Sequence, residues 1–373
     1  MDLIELHILQ SFPVTCLNRD DVGAPKTAMF GGALRARVSS QCWKRAIRAQ
    51  AQELQPASFA GTRSRYIVDK LAAQFEQGGQ PTEVAGILAE RTADAVGKLD
   101  DKNSGNVKTL LYFSPSELAA VASAVLEAGS AELAAQLVAK PADKKATKEL
   151  DALTKKAAKG FATKVKDAAD IAIFGRMVAD DHSLTVEGAG MFSHALSTHK
   201  TSNEVDFFSA VDDLKPVDSD DAGAGHIGTN EFNSACYYRC IALNLDLLLA
   251  GHGDQPGYLA HLSPEEQRTV LDAFLRAAIL AVPEARKNAM FGMNPPCFVL
   301  GLRRRGQPLS LVNAFEKPIR ARNGYIEPSI EALKEHYTTL SAAYGLEASA
   351  QAILPEVALD AFVAALVDGG TDA

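Results

Sequence analysis

The 373-residue chain has no apolar run near the roughly 18 residues that a membrane-spanning helix needs. Its first ten residues, MDLIELHILQ, lack the basic segment of a secretory signal, and Asp2 and Glu5 interrupt the short apolar run. HExxH, paired CxxC, GxSxG and Walker motifs are missing, and with them the local signatures of zinc hydrolases, α/β-hydrolases and P-loop NTPases. Cysteine is sparse and odd in number, at positions 16, 42, 236, 240 and 297. The one close pair, Cys236 and Cys240, has no second pair or nearby histidines to complete a zinc site. Reduced thiols and a cytoplasmic location are the expectation.

A glycine pattern misleads. Gly223, Gly225 and Gly228 spell GxGxxG, but the acidic stretch KPVDSDDA precedes them where a dinucleotide fold needs an apolar strand. A hairpin tip is the better reading. No metal or cofactor is expected.

What the chain does have is segregated charge. The net charge is −8, yet residues 19–48 carry +5 and residues 140–166 carry +6, leaving −19 elsewhere. Five cations fall within RARVSSQCWKRAIR (35–48), with no acid among them. Ser39 or Ser40 is placed to cap a helix running to about residue 54. A helix start offers unpaired N–H groups and partial positive charge, which suit a phosphate. Ser39, Ser40 and Gln41 add neutral hydrogen-bonding groups there. Lys44 and Arg48 extend the positive face by one and two turns, and Arg19, Lys26 and Arg37 add charge from the preceding segment. A solvated basic face is the alternative. The lysine-rich block 140–166 has the composition of a solvated helix.

The periodicity reads as α+β with insertions. LIELHIL (3–9) alternates as a strand with one apolar face, and a second strand is expected near 34–38. Trp43, Ile47 and Leu54 recur at helical spacing and are expected in the core. Residues 55–170 read as a helical insertion, with a capping box from Ser114 to Glu117 around Pro115. IAIFG (171–175) reads as a buried strand. Residues 194–234 read as a long hairpin carrying Phe207 and Phe208, of which alternation places at most one in the core. Ser263 and Glu266 box another helix. CFVLGLR reads as a strand, and 328–345 and 355–367 as helices.

Several motifs recur in one order: TCLNRDD (15–21), AMFGGALRARVSSQCWKRAIR (28–48), GRM (175–177), DFFSAVDDL (206–214), HIGTNEF (226–232) and NAFEKP (313–318). In these the chain resembles the CasC family of the RAMP superfamily, the backbone subunit of the type I-E CRISPR Cascade complex. The resemblance implies an RNA-recognition-motif-like (ferredoxin-like) palm, a helical finger domain and a β-hairpin thumb. On that scheme the palm takes residues 1–54, 171–193 and 235–373, the fingers 55–170 and the thumb 194–234. It implies a non-catalytic scaffold whose copies stack head to tail along CRISPR RNA beside other Cascade subunits. The guide is then presented for pairing with target DNA. Arg19, Lys26, Ser39, Gln41, Lys44 and Arg48 match the family's RNA-backbone contacts. Met177 matches a position that packs on a displaced base, and Arg176 joins it from the same motif. Phe207, Phe208, Ser209 and His226 match the thumb. The competing reading is a repeat-RNA endonuclease using His199 or His226 as its acid–base group.

Overall fold

The computed structural model describes residues 1–369 apart from 102, 159–163, 179–183, 211–225, 252, 254 and 285–286. The chain begins with β1 (Asp2–Thr15), the hairpin β2 (Thr27–Phe30) and β3 (Ala33–Val38), and helix α1 (Ser40–Leu54). Next come β4 (Thr62–Ser64), α2 (Val68–Gln77), α3 (Thr82–Gly97), β5 (Leu99–Asp100), β6 (Asn103–Val107) and β7 (Leu111–Phe113). Helices α4 (Pro115–Glu127), α5 (Ser130–Ala139), α6 (Lys144–Ala158) and α7 (Ala169–Phe174) follow. Then come β8 (Gly190–Phe192), β9 (Ala195–Ser197), β10 (Glu204–Ala210) and the 19-residue β11 (His226–Asn244). The remainder is α8 (Pro264–Leu280), α9 (Lys287–Met290), β12 (Phe298–Arg305), α10 (Ile326–Tyr344), β13 (Ala350–Leu354) and α11 (Leu359–Asp368). Among the described residues no single helix is long and apolar enough to cross a membrane.

Two compact units emerge. One comprises 1–50, 191–244 and 271–373, and the other 51–190 with 245–270. The second thus includes 171–190 and 245–270 as well as the expected 55–170.

The first unit is built on a mixed-length sheet in the order β13-β12-β1-β11-β9-β3-β2. Its β1–β11, β1–β12, β11–β9, β3–β9, β2–β3 and β12–β13 pairings are all antiparallel. β1 is central, and Ile4, Leu6 and Ile8 form the expected buried apolar face. Both faces are covered, so Glu5 and His7 are as buried as Leu6 and Ile8. The buried carboxylate of Glu5 takes a two-pronged contact from Arg304 (2.6 and 3.0 Å) and the Leu309 N–H. His7 Nδ1 and the Tyr238 hydroxyl are hydrogen-bonded at 3.0 Å, and that hydroxyl accepts from the Leu311 N–H. Polar residues can occupy a core strand when remote partners satisfy them, and alternation alone cannot reveal such partners.

α1 forms where expected. Ser39 Oγ accepts from the Cys42 N–H, and Trp43, Ile47 and Ala51 are buried. Leu54, the last helical residue, is 43% exposed, so the inward stripe ends a turn earlier. β2 and β13 add edges that the sequence patterns did not reveal.

In the second unit, α2 to α6 enclose a core that includes Leu71, Phe75, Leu88, Leu118 and Leu150. The Ser114–Glu117 box is present, with Pro115 in the first turn. Residues 169–174 form α7 rather than the expected strand. All six are buried, so neither a polar alternation nor an amphipathic stripe marks them, and a short apolar run is ambiguous.

Candidate nucleic-acid interface

The amino-terminal cations converge in the first unit. After β1 the chain makes a tight loop in which Asp20 Oδ1 accepts from the Val22 and Ala24 N–H groups. Arg19 and Pro25 form an isolated bridge across this loop, and the Lys26 N–H donates to Asn18 O. The Arg37 N–H donates to Lys26 O, which sets those two cations side by side on the β2–β3 hairpin. Asn18 then reaches forward, its Oδ1 accepting from the Ser39 N–H at 3.0 Å. A single asparagine therefore registers the loop against the start of α1.

His194, just before β9, completes the cluster. Its Nδ1 accepts from the Ser40 N–H at 3.2 Å, which requires that nitrogen to be unprotonated. Partial burial, then the charges of Arg37 and Lys26, hold its pKa below the ordinary value. The same charge field reaches Cys42. Burial raises that thiol's pKa, while Lys26 and Arg45 pull against the rise. No acid occupies the first turn of α1.

The helix start is less open than the sequence suggests. Ser39 and Ser40 are buried. The Ser40 N–H is engaged by His194 and the Cys42 N–H by Ser39. These serines shape the end of the helix, and the surrounding cations carry most of the attraction for an anion. Gln41 is exposed at the helix start. Lys44 lies half-buried with Nζ 5.2 Å from the Phe192 ring centroid, a contact that orients the ammonium. Arg48 is half-buried one turn on.

Two arginines in the quoted motifs have other work. Arg35 is fully buried and donates to four carbonyls, those of Phe30, Ser197, Phe315 and Glu316. Arg176, expected on RNA, is buried in the second unit. Its guanidinium meets Glu117 at 2.7 Å and donates to Leu184 O and Tyr112 O. Burial raises the Glu117 pKa, and the Arg176 charge opposes that rise. A basic residue in a motif is silent about direction, and these two point inward because remote carbonyls and a carboxylate receive them. Met177, the next residue, is 82% exposed.

The hairpin is real but shorter than the 194–234 expected. Its ladder runs from Glu204 opposite Phe232 to Ala210 opposite His226. Residues 195–197 belong to the core sheet instead. The root is tied to the cationic loop through Asn203, whose Nδ2 donates to Pro25 O and Glu231 Oε2. In keeping with the alternation argument, which allowed at most one in a core, neither phenylalanine enters one, because β10 pairs only with β11. Phe207 is 74% exposed and Phe208 40% exposed, on opposite faces of the ribbon. Phe208 lies across Gly228, where any Cβ would come within 2.4 Å of the ring. That packing and the continuation of the strand to Asn244 exclude a dinucleotide loop at Gly228, which would need a helix there. Ser209 is exposed on the Phe207 face. Gly223, Gly225 and the His226 side chain lie outside the described residues.

The second candidate histidine, His199, is packed into the first unit. Nδ1–H donates to Lys200 O at 2.9 Å, Nε2 accepts from the Cys236 N–H at 3.2 Å, and the ring stacks 3.7 Å from Tyr325. Both nitrogens are engaged, and burial lowers the pKa. All five cysteines are free thiols, and among the described residues no group of three or more His, Cys, Asp or Glu is arranged to hold a metal ion.

Comparison with solved structures finds a chain of a "CRISPR RNA-guided surveillance complex, pre-nicking" at 28% identity and a TM-score of 0.76, covering 98% of this chain and 100% of that one. A chain of another "CRISPR RNA-guided surveillance complex", at 24% identity and a TM-score of 0.57, covers 98% and 97% and shares the fold. No curated protein sequence matches. The family model for CT1975-like proteins matches residues 4–365, nearly the whole length of both units. The chain therefore belongs to the CT1975-like family of CRISPR-associated proteins.

Proposed function

We propose that this protein is a guide-RNA-binding backbone subunit of a Cascade complex, of the CasC type found in type I-E systems. The observation that carries the reading is the convergence of Lys26, Arg37 and Lys44 around the acid-free start of α1. Such a surface grips ribose-phosphate and is indifferent to base identity, because phosphate contacts position a strand without reading it. The 28%-identical match to a chain of an RNA-guided surveillance complex, over the full length of both chains, supports the same reading. In this account the sheet of the first unit is the ferredoxin-like palm. The exposed hairpin is the thumb, with Phe207 and Phe208 standing between guide bases at regular intervals. Copies follow one another head to tail along the RNA, and the guide pairs with target DNA in segments between thumbs.

The subunit is proposed to be non-catalytic. His199 has both ring nitrogens committed to backbone partners, which disfavours it as an acid–base group for RNA cleavage. The test is co-expression with a CRISPR array and partner subunits, followed by sequencing of the RNA that co-purifies. Guide RNA of varied spacer sequence is expected. The triple variant K26A/R37A/K44A is expected to lose it for every spacer alike. Loss confined to one spacer sequence would contradict a backbone-reading site, and cleavage of repeat RNA by the purified chain would contradict the non-catalytic assignment.

A further inference from the structure

A second cationic surface lies in the first unit, away from the start of α1 in sequence. The end of NAFEKP and the segment after it carry Lys317, Arg320 and Arg322, all exposed, and with Lys200 these four cations outnumber two carboxylates, Glu331 and Glu335, in the lining of an open groove of about 900 Å³. Among the described residues, the ion pair seen in this set is Arg322 with Glu331, at 3.8 Å between two well-exposed side chains. Such a long, solvated contact competes weakly with a phosphate.

The segment is held in place from three sides. Arg35 donates to Phe315 O and Glu316 O. The Ile319 N–H donates to Thr198 O. Gly31, at the tip of the β2–β3 hairpin, approaches Glu316 O so closely that a Cβ there would overlap it. Lysines and arginines on a fixed backbone lose less freedom on binding than those on a loose loop.

A cavity of about 450 Å³ adjoins the groove and shares Arg322 and Tyr325 with it. That volume falls in the range of small-ligand sites. Tyr325 is 36% exposed, and its ring is backed by the buried imidazole of His199. The loop entering it is set by Asn323 and Gly324 at positive φ (57° and 137°). A partly exposed aromatic ring backed on one face, beside exposed cations, is the arrangement that single-strand binders use to stack a base next to a held phosphate.

We infer that this groove and cavity form a second contact for a single nucleic-acid strand. Phosphates lie on Lys200, Lys317, Arg320 and Arg322, and a nucleobase stacks on Tyr325. The inference rests on the single-strand-binding reading above and adds a site to it. The strand is either RNA or DNA, and the two share the chemistry.

The test uses the full chain with fluorescein-labelled oligo(U) and oligo(dT) of about ten nucleotides, within the span one such module covers. K317A/R320A/R322A removes three exposed cations without touching a buried group. It is expected to flatten the slope of log K against log salt by about 2, at about 0.7 per phosphate. Tyr325→Leu is expected to weaken the same oligonucleotide about 5- to 150-fold, and Tyr325→Phe to leave it unchanged. Flattening with oligo(U) assigns the groove to RNA, and flattening with oligo(dT) alone assigns it to DNA. Unchanged slopes with both, while K26A/R37A/K44A still weakens binding, overturn the groove and leave the amino-terminal site standing. Failure of the wild-type protein to bind either oligonucleotide overturns both sites. Unchanged slopes combined with shorter assemblies on long RNA assign the groove to a neighbouring copy and also overturn the inference.

Discussion

Replacing Arg35 by lysine keeps the formal charge, so a view of 35–48 as a simple basic patch expects almost no effect. The structure expects a large one. Arg35 is fully buried, and its planar fork reaches Ser197 O at 2.9 Å, Phe315 O at 2.8 Å, and Phe30 O and Glu316 O at 3.2 Å. A lysine ammonium has three donors on one atom and cannot span these carbonyls. At least two charge-assisted bonds are lost, each worth about 1.5–3 kcal/mol net, and the abandoned carbonyls stay dry. The loss comes to about 3–6 kcal/mol. Trp43 is the chain's single tryptophan and is buried in this unit beside Arg239, whose guanidinium lies 4.0 Å from the ring centroid. Its fluorescence during urea denaturation therefore reports this unit. A loss below about 1 kcal/mol would refute the reasoning. So would a flatter salt slope for RNA binding, because that would place the guanidinium on a phosphate. A weakened affinity with an unchanged slope is the expected signature of a residue that holds the β2–β3 hairpin and acts through it.

Three other perturbations follow from local geometry. Gly31→Ala, at φ 56° with Glu316 O in the way, is expected to destabilise the first unit by more than 2 kcal/mol, against about 1 kcal/mol for Gly32→Ala at φ 70° in open space; equal urea midpoints would contradict this. Burial, reinforced by the Arg304 charge, lowers the His7 pKa from the ordinary 6.5 to about 3. Below pH 6.5 the unfolded chain thus binds the proton that the native state refuses, and stability present above that pH is lost as pH falls toward 3, by about 1.4 kcal/mol per unit. His7→Asn should fall less steeply between pH 6.5 and 5.5, and parallel curves would clear His7 of the effect. Glu117→Gln strands the buried Arg176 charge and is expected to cost the second unit about 3–5 kcal/mol. Faster amide exchange across α4 would register it, and unchanged protection would argue against it.

Local signals were legible and non-local ones were not. Capping boxes at Ser114 and Ser263, the helix at 40–54 and the strands of β1, β3 and β12 appear where residue patterns place them, because each pattern is complete within a few neighbouring positions. The two-sided burial of β1 was hidden, since Glu5 is satisfied by Arg304 about three hundred positions away. The inward turn of Arg35 and Arg176 was hidden for the same reason. His194 carried no motif of its own, and only the fold brings it onto the Ser40 N–H. Asn18, by contrast, was within reach of the sequence. A short amide between a strand and a dense cationic run is a natural bracket for a loop, and it stood inside a quoted motif.

β11 runs without interruption from the middle of the sheet, where it pairs with β1, to the ribbon that carries Phe207 and Phe208. The ribbon is consequently a cantilever clamped in the core, its aim inherited from the pleat of buried residues such as Tyr237 and Ile241. Lengthening it at its far end leaves that aim alone, so evolution is free to vary the far end. One residue added between Gly228 and Asn233 would exchange the two sides of β11 beyond it and take Gly228 from under the Phe208 ring, where a Cβ has no room.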